Sequence, residues 1–205
     1  MYKLKLVLIF TSFFGIAVPR HARAGSFPAS DKPRTVLFFV AQDMFREEAL
    51  TAIRSELSHA GYSVVIAAAE TTVATGMDRT VIRPDIAVAA AKPDSFAGFV
   101  LINGSGIDLY WNDSILHNRC REFAQAGKPV GAIGLATICL AHAGLLDGHK
   151  ATIFPNRYAV RYLLEGGGRY VPNSVVTDRN IITAAETRDA HKFGQVIAAK
   201  LQKGK

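Results

Sequence analysis

Few side chains in this chain of 205 residues stand where they can do chemistry. Cys120 and Cys139 are its only thiols. Their separation matches no metal-site spacing such as Cys-x-x-Cys, and no histidine sits at a matching offset, so the pattern proposes no metal centre. In an oxidising compartment the two can pair if their Cα atoms come within about 7 Å. Both also fall in segments that read as helices, where a free cysteine serves as a small apolar filler, and this second reading is preferred. Ser105 lies in the loop Asn103-Gly104-Ser105-Gly106, whose successive amides can cradle an anion or a carbonyl. No histidine is spaced to serve it as a base. His59, His117 and His191 fall on predicted helices, and His142 and His149 near a helix end and in the turn after it. Gly166-Gly167-Gly168 lacks the following Lys-Ser/Thr and the helix start of a phosphate-binding loop. Glu47 and Glu48 read as first-turn helix acids, favoured there by the macrodipole. Tyr110-Trp111 either rims a pocket or packs the entry of the next helix.

Such groups act only where a scaffold holds them, and the chain alternates strand-like with helix-like text. Residues 35–41 form a continuous apolar run, suited to a parallel strand covered on both faces. Residues 46–59 carry Leu50, Ile53 and Leu57 on one helical face and close at Ala60-Gly61. A second buried strand follows at 62–68. The stretch 71–91 reads as a shallow hairpin excursion, turning at Gly76-Met77-Asp78 and again at Pro84-Asp85. Further strands are expected at 98–102, 129–133, 150–154, 175–176 and 181–184, and helices at 114–126, 136–143 and 188–202. The fold class is α/β: a doubly wound, mostly parallel sheet with helices on both faces, in one domain over 34–205. Ligands in such sheets bind beyond the carboxyl ends of the strands, near the point where strand order reverses. The segments to weigh are therefore 42–48, 103–106, 134–136, 154–156 and 185–186.

Composition agrees with one ordinary domain: 49% hydrophobic and 20% charged residues, enough to bury a core without cross-links. The formal charge of +7 is misleading. Lys3, Lys5, Arg20 and Arg23 lie in the first 24 residues, which hold no acid, and the rest is nearly balanced. That balance argues against a nucleic-acid partner. The same first residues read as a targeting segment. A short positive region precedes an apolar run of 13 residues over 6–18, too short for a spanning helix of about 20. Ala22-Arg23-Ala24 then supplies a small-x-small pattern, with cleavage expected after Ala24 and a leader over 25–33. The expectation is a periplasmic or secreted protein; an uncleaved anchor or a buried strand is the alternative. No later stretch reads as membrane-crossing.

The run Pro129-Val-Gly-Ala-Ile-Gly-Leu-Ala-Thr-Ile-Cys-Leu-Ala-His-Ala-Gly-Leu-Leu-Asp-Gly-His-Lys-Ala-Thr-Ile-Phe-Pro155 resembles the signature region of the ThiJ/PfpI superfamily. The first-strand text Thr-Val-Leu-Phe-Phe-Val-Ala, the Ala60-Gly61 step, the Gly-Ser-Gly loop at 104–106 and Asn180-Ile-Ile-Thr-Ala184 fall in the order of that family. The superfamily holds intracellular proteases, deglycases and chaperones. The resemblance implies a class I glutamine amidotransferase-like fold and a homodimer. It also implies a reactive cysteine at a sharp strand-to-helix turn, where the helix N-terminus lowers the thiol pKa and nearby amides hold an oxyanion. Here that position is Gly134, followed by Leu135. Phe154 stands at the place resembling a histidine that precedes proline in some members. The family's glutamate after the first strand falls at Ala49 when counted from Ala60-Gly61 without gaps, and a one-residue shift brings in Glu48. Asn103 stands where relatives have glycine.

The resulting expectation is an exported domain with a degenerate site: no catalytic residue, no metal and no cofactor. Its pocket comprises Glu48, Asn103, Gly104, Ser105, Gly106, Gly134, Leu135 and Phe154, and binds a small molecule or a partner protein. The rival expectation is a hydrolase or glyoxal-handling deglycase whose chemistry moved to Glu48, Ser105 or Cys139.

Overall fold

A computed structural model of the protein describes residues 33–203; the expected targeting segment, the expected cleavage after Ala24 and nearly all of the expected leader over 25–33 lie outside the described residues. Its centre is β1 (Thr35–Phe39), which sends Val36 and Phe38 to one side and Leu37 and Phe39 to the other, all four fully buried. Unbroken apolar text is what a strand covered on both faces requires. Next come β2 (Asp43–Phe45), α1 (Glu47–His59), β3 (Ser63–Ala68), β4 (Ala74–Gly76), β5 (Val81–Ile82) and β6 (Ile86–Ala87). The chain continues through β7 (Gly98–Leu101), α2 (Ser114–Gln125), β8 (Val130–Ile133), α3 (Thr137–His142), β9 (Lys150–Ala151) and α4 (Arg157–Glu165). It closes with β10 (Arg169–Tyr170), β11 (Val175–Asp178), β12 (Ile181–Ala184) and α5 (Ala190–Lys203).

Seven strands make the main sheet, in the order β11-β12-β8-β7-β1-β3-β6. Every neighbouring pair is parallel except β11 with β12. The chain winds outward from β1 to β3 and β6, then returns to place β7 on the other side of β1. That reversal opens a crevice at the carboxyl ends of β1 and β7. One face of the sheet is covered by α1 and α5 through Ile53, Leu57, Phe193, Ile197 and Leu201. The other is covered by α2, α3 and α4 through Leu116, Phe123, Ile138 and Leu163. Each such side chain contributes roughly 1.5–3 kcal/mol by leaving water, so the two layers fix the sheet on which the loops sit.

The excursion over 71–91 departs from a simple hairpin. β4 and β5 do pair antiparallel, but β4 also pairs with β2, and β6 leaves the excursion to extend the main sheet beside β3. The strand expected at 150–154 shrinks to Lys150–Ala151, because Thr152 N donates to the Thr183 hydroxyl (2.9 Å) instead of a strand neighbour. One helix was not foreseen: α4, whose first turn is capped by Asn156 Oδ1 accepting from Ala159 N at 2.7 Å. The last helix begins at Ala190, after a 3-10 turn over Thr187–Asp189 closed by a reciprocal Glu186–Asp189 cap. Tyr110 and Trp111 pack. Tyr110 meets Phe39 edge-on at 5.0 Å, and Trp111 packs against both Tyr158 and Tyr162.

Candidate functional site

The turn after β8 is sharp because its first residue has no side chain. Gly134 sits at φ +59°, a conformation that costs an L-residue about 1–2 kcal/mol. From there the backbone passes through a 3-10 turn (Gly134–Ala136) into α3. The elbow geometry implied by the sequence resemblance is present, but it presents no nucleophile. The space beside it is tight. A Cβ built on Gly134 would stand 3.1 Å from Asn103 Nδ2 and 3.3 Å from Asn103 Cβ. Asn103 follows β7, and its Nδ2 donates to the Thr187 hydroxyl at 3.1 Å, tying that loop to the segment after β12.

Two glycines let the loops after β1 and β7 touch. A Cβ on Gly104 would collide with the Met44 carbonyl oxygen, and one on Gly106 with that of Asp43. The absence of both side chains lets β2 lie across the 103–106 loop, bridging Phe45 to Gly104. Arg46 N then donates to Asn103 O at 2.8 Å. Met44 carries the strain of this approach at φ 58°. The outcome is a fixed main chain at Arg46, directly before α1.

A cavity of about 330 Å³ opens at this end of the sheet. Of the expected residues, Asn103, Gly104, Ser105, Gly134, Leu135 and Phe154 line it together. Gly106 lies among the buried glycines under β2 and is not on the wall. Glu48 is not there either: it is exposed on α1, while Ala49 is buried in the core. The buried acid is Glu47, whose Oε1 accepts from Asp78 N at 2.7 Å and so pins the β4–β5 turn. A shift of one residue along a helix turns a side chain by about 100°, which decides core against solvent. The sequence reading missed Thr187 and Arg188 on the wall, and held Arg46 and Glu186 only as members of the post-strand segments 42–48 and 185–186. Glu186 and Arg188 pair at 2.6 Å.

Neither thiol offers a substitute for the missing nucleophile. Cys120 and Cys139 are free and fully buried, and burial pushes both thiols far above the ordinary cysteine range. A buried neutral thiol is inert. Ser105 Oγ meets only Met77 Sδ, at 3.6 Å, and no histidine bonds to it among the described residues. Three of the histidines are engaged elsewhere. His117 Nε2 and His142 Nδ1 both lie against Trp111 O (2.9 and 2.8 Å), and His191 pairs with Glu56 at 2.9 Å. Burial holds His117 below the usual imidazole range. Among the described residues, no three His, Cys, Asp or Glu side chains gather as metal ligands would.

Comparison with known proteins gives this arrangement its context. A protein of Methanocaldococcus jannaschii is 31% identical over 173 residues, covering 84% of each chain. A deglycase of Pyrococcus abyssi is 25% identical over 158 residues, 77% of this chain and 93% of that protein. Among solved structures, a ThiJ/PfpI domain protein of Brachyspira murdochii superposes with a TM-score of 0.81 at 20% identity, over 84% of this chain and 98% of its own. Drosophila melanogaster DJ-1beta superposes with a TM-score of 0.74 at 26% identity, over 82% of this chain and 90% of its own. The sequence profile of the DJ-1/PfpI family matches residues 34–200. By sequence and by fold, the chain belongs to the DJ-1/PfpI family.

Proposed function

We propose that this domain is a binding module for a small molecule, built on a DJ-1/PfpI cradle that has lost its cysteine chemistry. The observation that carries the reading is the elbow: Gly134 holds a left-handed turn with no side chain, and a Cβ added there would stand only 3.1 Å from the Asn103 amide. The deglycase of Pyrococcus abyssi shows that relatives of this chain include enzymes. This member's two thiols are buried and protonated, so neither is available to attack a carbonyl. The test joins methylglyoxal consumption with maleimide labelling of the folded protein. The expected result is no turnover above buffer and no labelling until the protein is unfolded. Turnover that disappears on Cys139→Ala or Ser105→Ala overturns the reading.

We propose further that residues 1–24 direct export and are removed. The support is their order of positive residues, apolar run and Ala22-Arg23-Ala24. Mass spectrometry of the protein from an exporting bacterial host should find Gly25 at the amino terminus. An intact Met1 on cytoplasmic protein overturns it.

A further inference from the structure

The charge in the carboxyl-end cavity is not balanced from within. Among the described residues its one carboxylate, Glu186, is held by Arg188 at 2.6 Å. Arg46 has no such partner among them. Among the described residues its guanidinium makes neither an ion pair nor a hydrogen bond, and its Nε is buried and unsatisfied. Moving a charge partly out of water without a counter-charge is destabilising. Arg46 also occupies the N-cap of α1, with no side-chain cap bond. Ser, Thr, Asp or Asn is favoured at that position, and a cation there opposes the helix dipole. One side chain thus breaks two independent rules of local stability, and such violations collect at functional sites. Its backbone is held against Asn103, so the side chain springs from a fixed point of main chain.

We propose that Arg46 is the anion anchor of this cavity and that the ligand is a small carboxylate. The inference rests on the binding-module reading and adds the chemistry of what is bound. The planar guanidinium fork matches the two oxygens of a carboxylate. A volume of about 330 Å³ is at the lower end for ligand sites, which suits a compound of a few carbons. Leu135 and Phe154 supply an apolar wall for its stem. The Ser105 hydroxyl, engaged only by the weak Met77 contact, offers a second polar partner.

Calorimetric titration of the folded domain with propionate, with succinate and, separately, with inorganic phosphate tests this. One of the carboxylates is expected to bind, more weakly as NaCl is added. Arg46→Gln should weaken that binding about tenfold or more. Arg46→Lys, which keeps the charge and loses the fork, should fall between, and Lys200→Ala should match the unaltered protein. Should Arg46→Gln fail to fold, Arg46→Lys and the salt dependence of the unaltered protein carry the test. Three outcomes overturn the inference: no carboxylate binds, only phosphate binds, or Arg46→Gln binds equally well. None of them bears on the loss of cysteine chemistry. Conversely, methylglyoxal turnover would overturn the parent reading and leave the anion anchor standing.

Discussion

The two ends of the main sheet each carry a cavity, and they are built on different principles. The amino-end cavity, about 430 Å³, is lined by Arg34, Tyr62, Lys128, Lys200 and Lys203 among others, with no acid on its wall among the described residues. It is larger and more basic than the carboxyl-end cavity of about 330 Å³. Its lysines ride on flexible, hydrated stems, and Arg34 is already occupied, donating to Gly61 O at 3.2 Å with its guanidinium 5.6 Å from the Tyr62 ring centre. At the carboxyl end the net charge is smaller, but the main chain that carries it is fixed. Loops that only glycine allows to touch hold Arg46, and a left-handed turn shapes the floor. Total charge is therefore a poor guide to a site. What separates the two regions is how far the backbone is committed to presenting the charge.

The comparison is open to attack at the loops first. Gly106→Val places a side chain against the Asp43 carbonyl and should lift β2 from the 103–106 loop. A loss of about 3 kcal/mol is expected in urea denaturation, with the carboxyl-end cavity distorted. A variant as stable as the parent would mean that the loops are not locked together. A smaller effect is expected at the elbow. Gly134→Cys alone should lose about 2 kcal/mol, from the left-handed backbone and the crowding against Asn103. Adding Asn103→Gly should free the new thiol, which then reacts with maleimide faster than in the single variant and titrates below the usual value of about 8.5. Equal labelling rates in the two variants would show that Asn103 does not occupy the thiol's place. The smallest effect belongs to the amino end, where Lys128→Ala and Lys200→Ala should each stay within about 0.5 kcal/mol of the parent. A loss well beyond that at either lysine would erase the contrast between solvated and fixed charge.

Much of this architecture is written in short-range pattern. The apolar run of β1 states that both its faces are covered, and Leu50, Ile53 and Leu57 state which side of α1 meets the sheet. α4 was legible too, through its Asn156 cap and the Ala159/Leu163 spacing, but its 9 residues leave a weak periodic signal. The site divides differently. Gly134 announces itself by sitting at a patterned position. The choice between Glu47 and Glu48 depends on one residue of helix phase and on a turn 31 residues away, which no local window contains. Arg46 is harder still, since its significance lies in having no partner. That follows from Glu186 being taken by Arg188, more than a hundred positions along the chain. The N-cap misfit was the one local clue.

The close approach of Asn103 to Gly134 makes the order of substitution matter. Placing sulfur at the elbow and shrinking the loop residue are not interchangeable first steps. Shrinking the loop residue first removes one hydrogen bond to Thr187, whereas adding the thiol first forces a crowded, strained intermediate. The two routes to the double variant therefore pass through intermediates of unequal stability, and the loop residue is the one to change first.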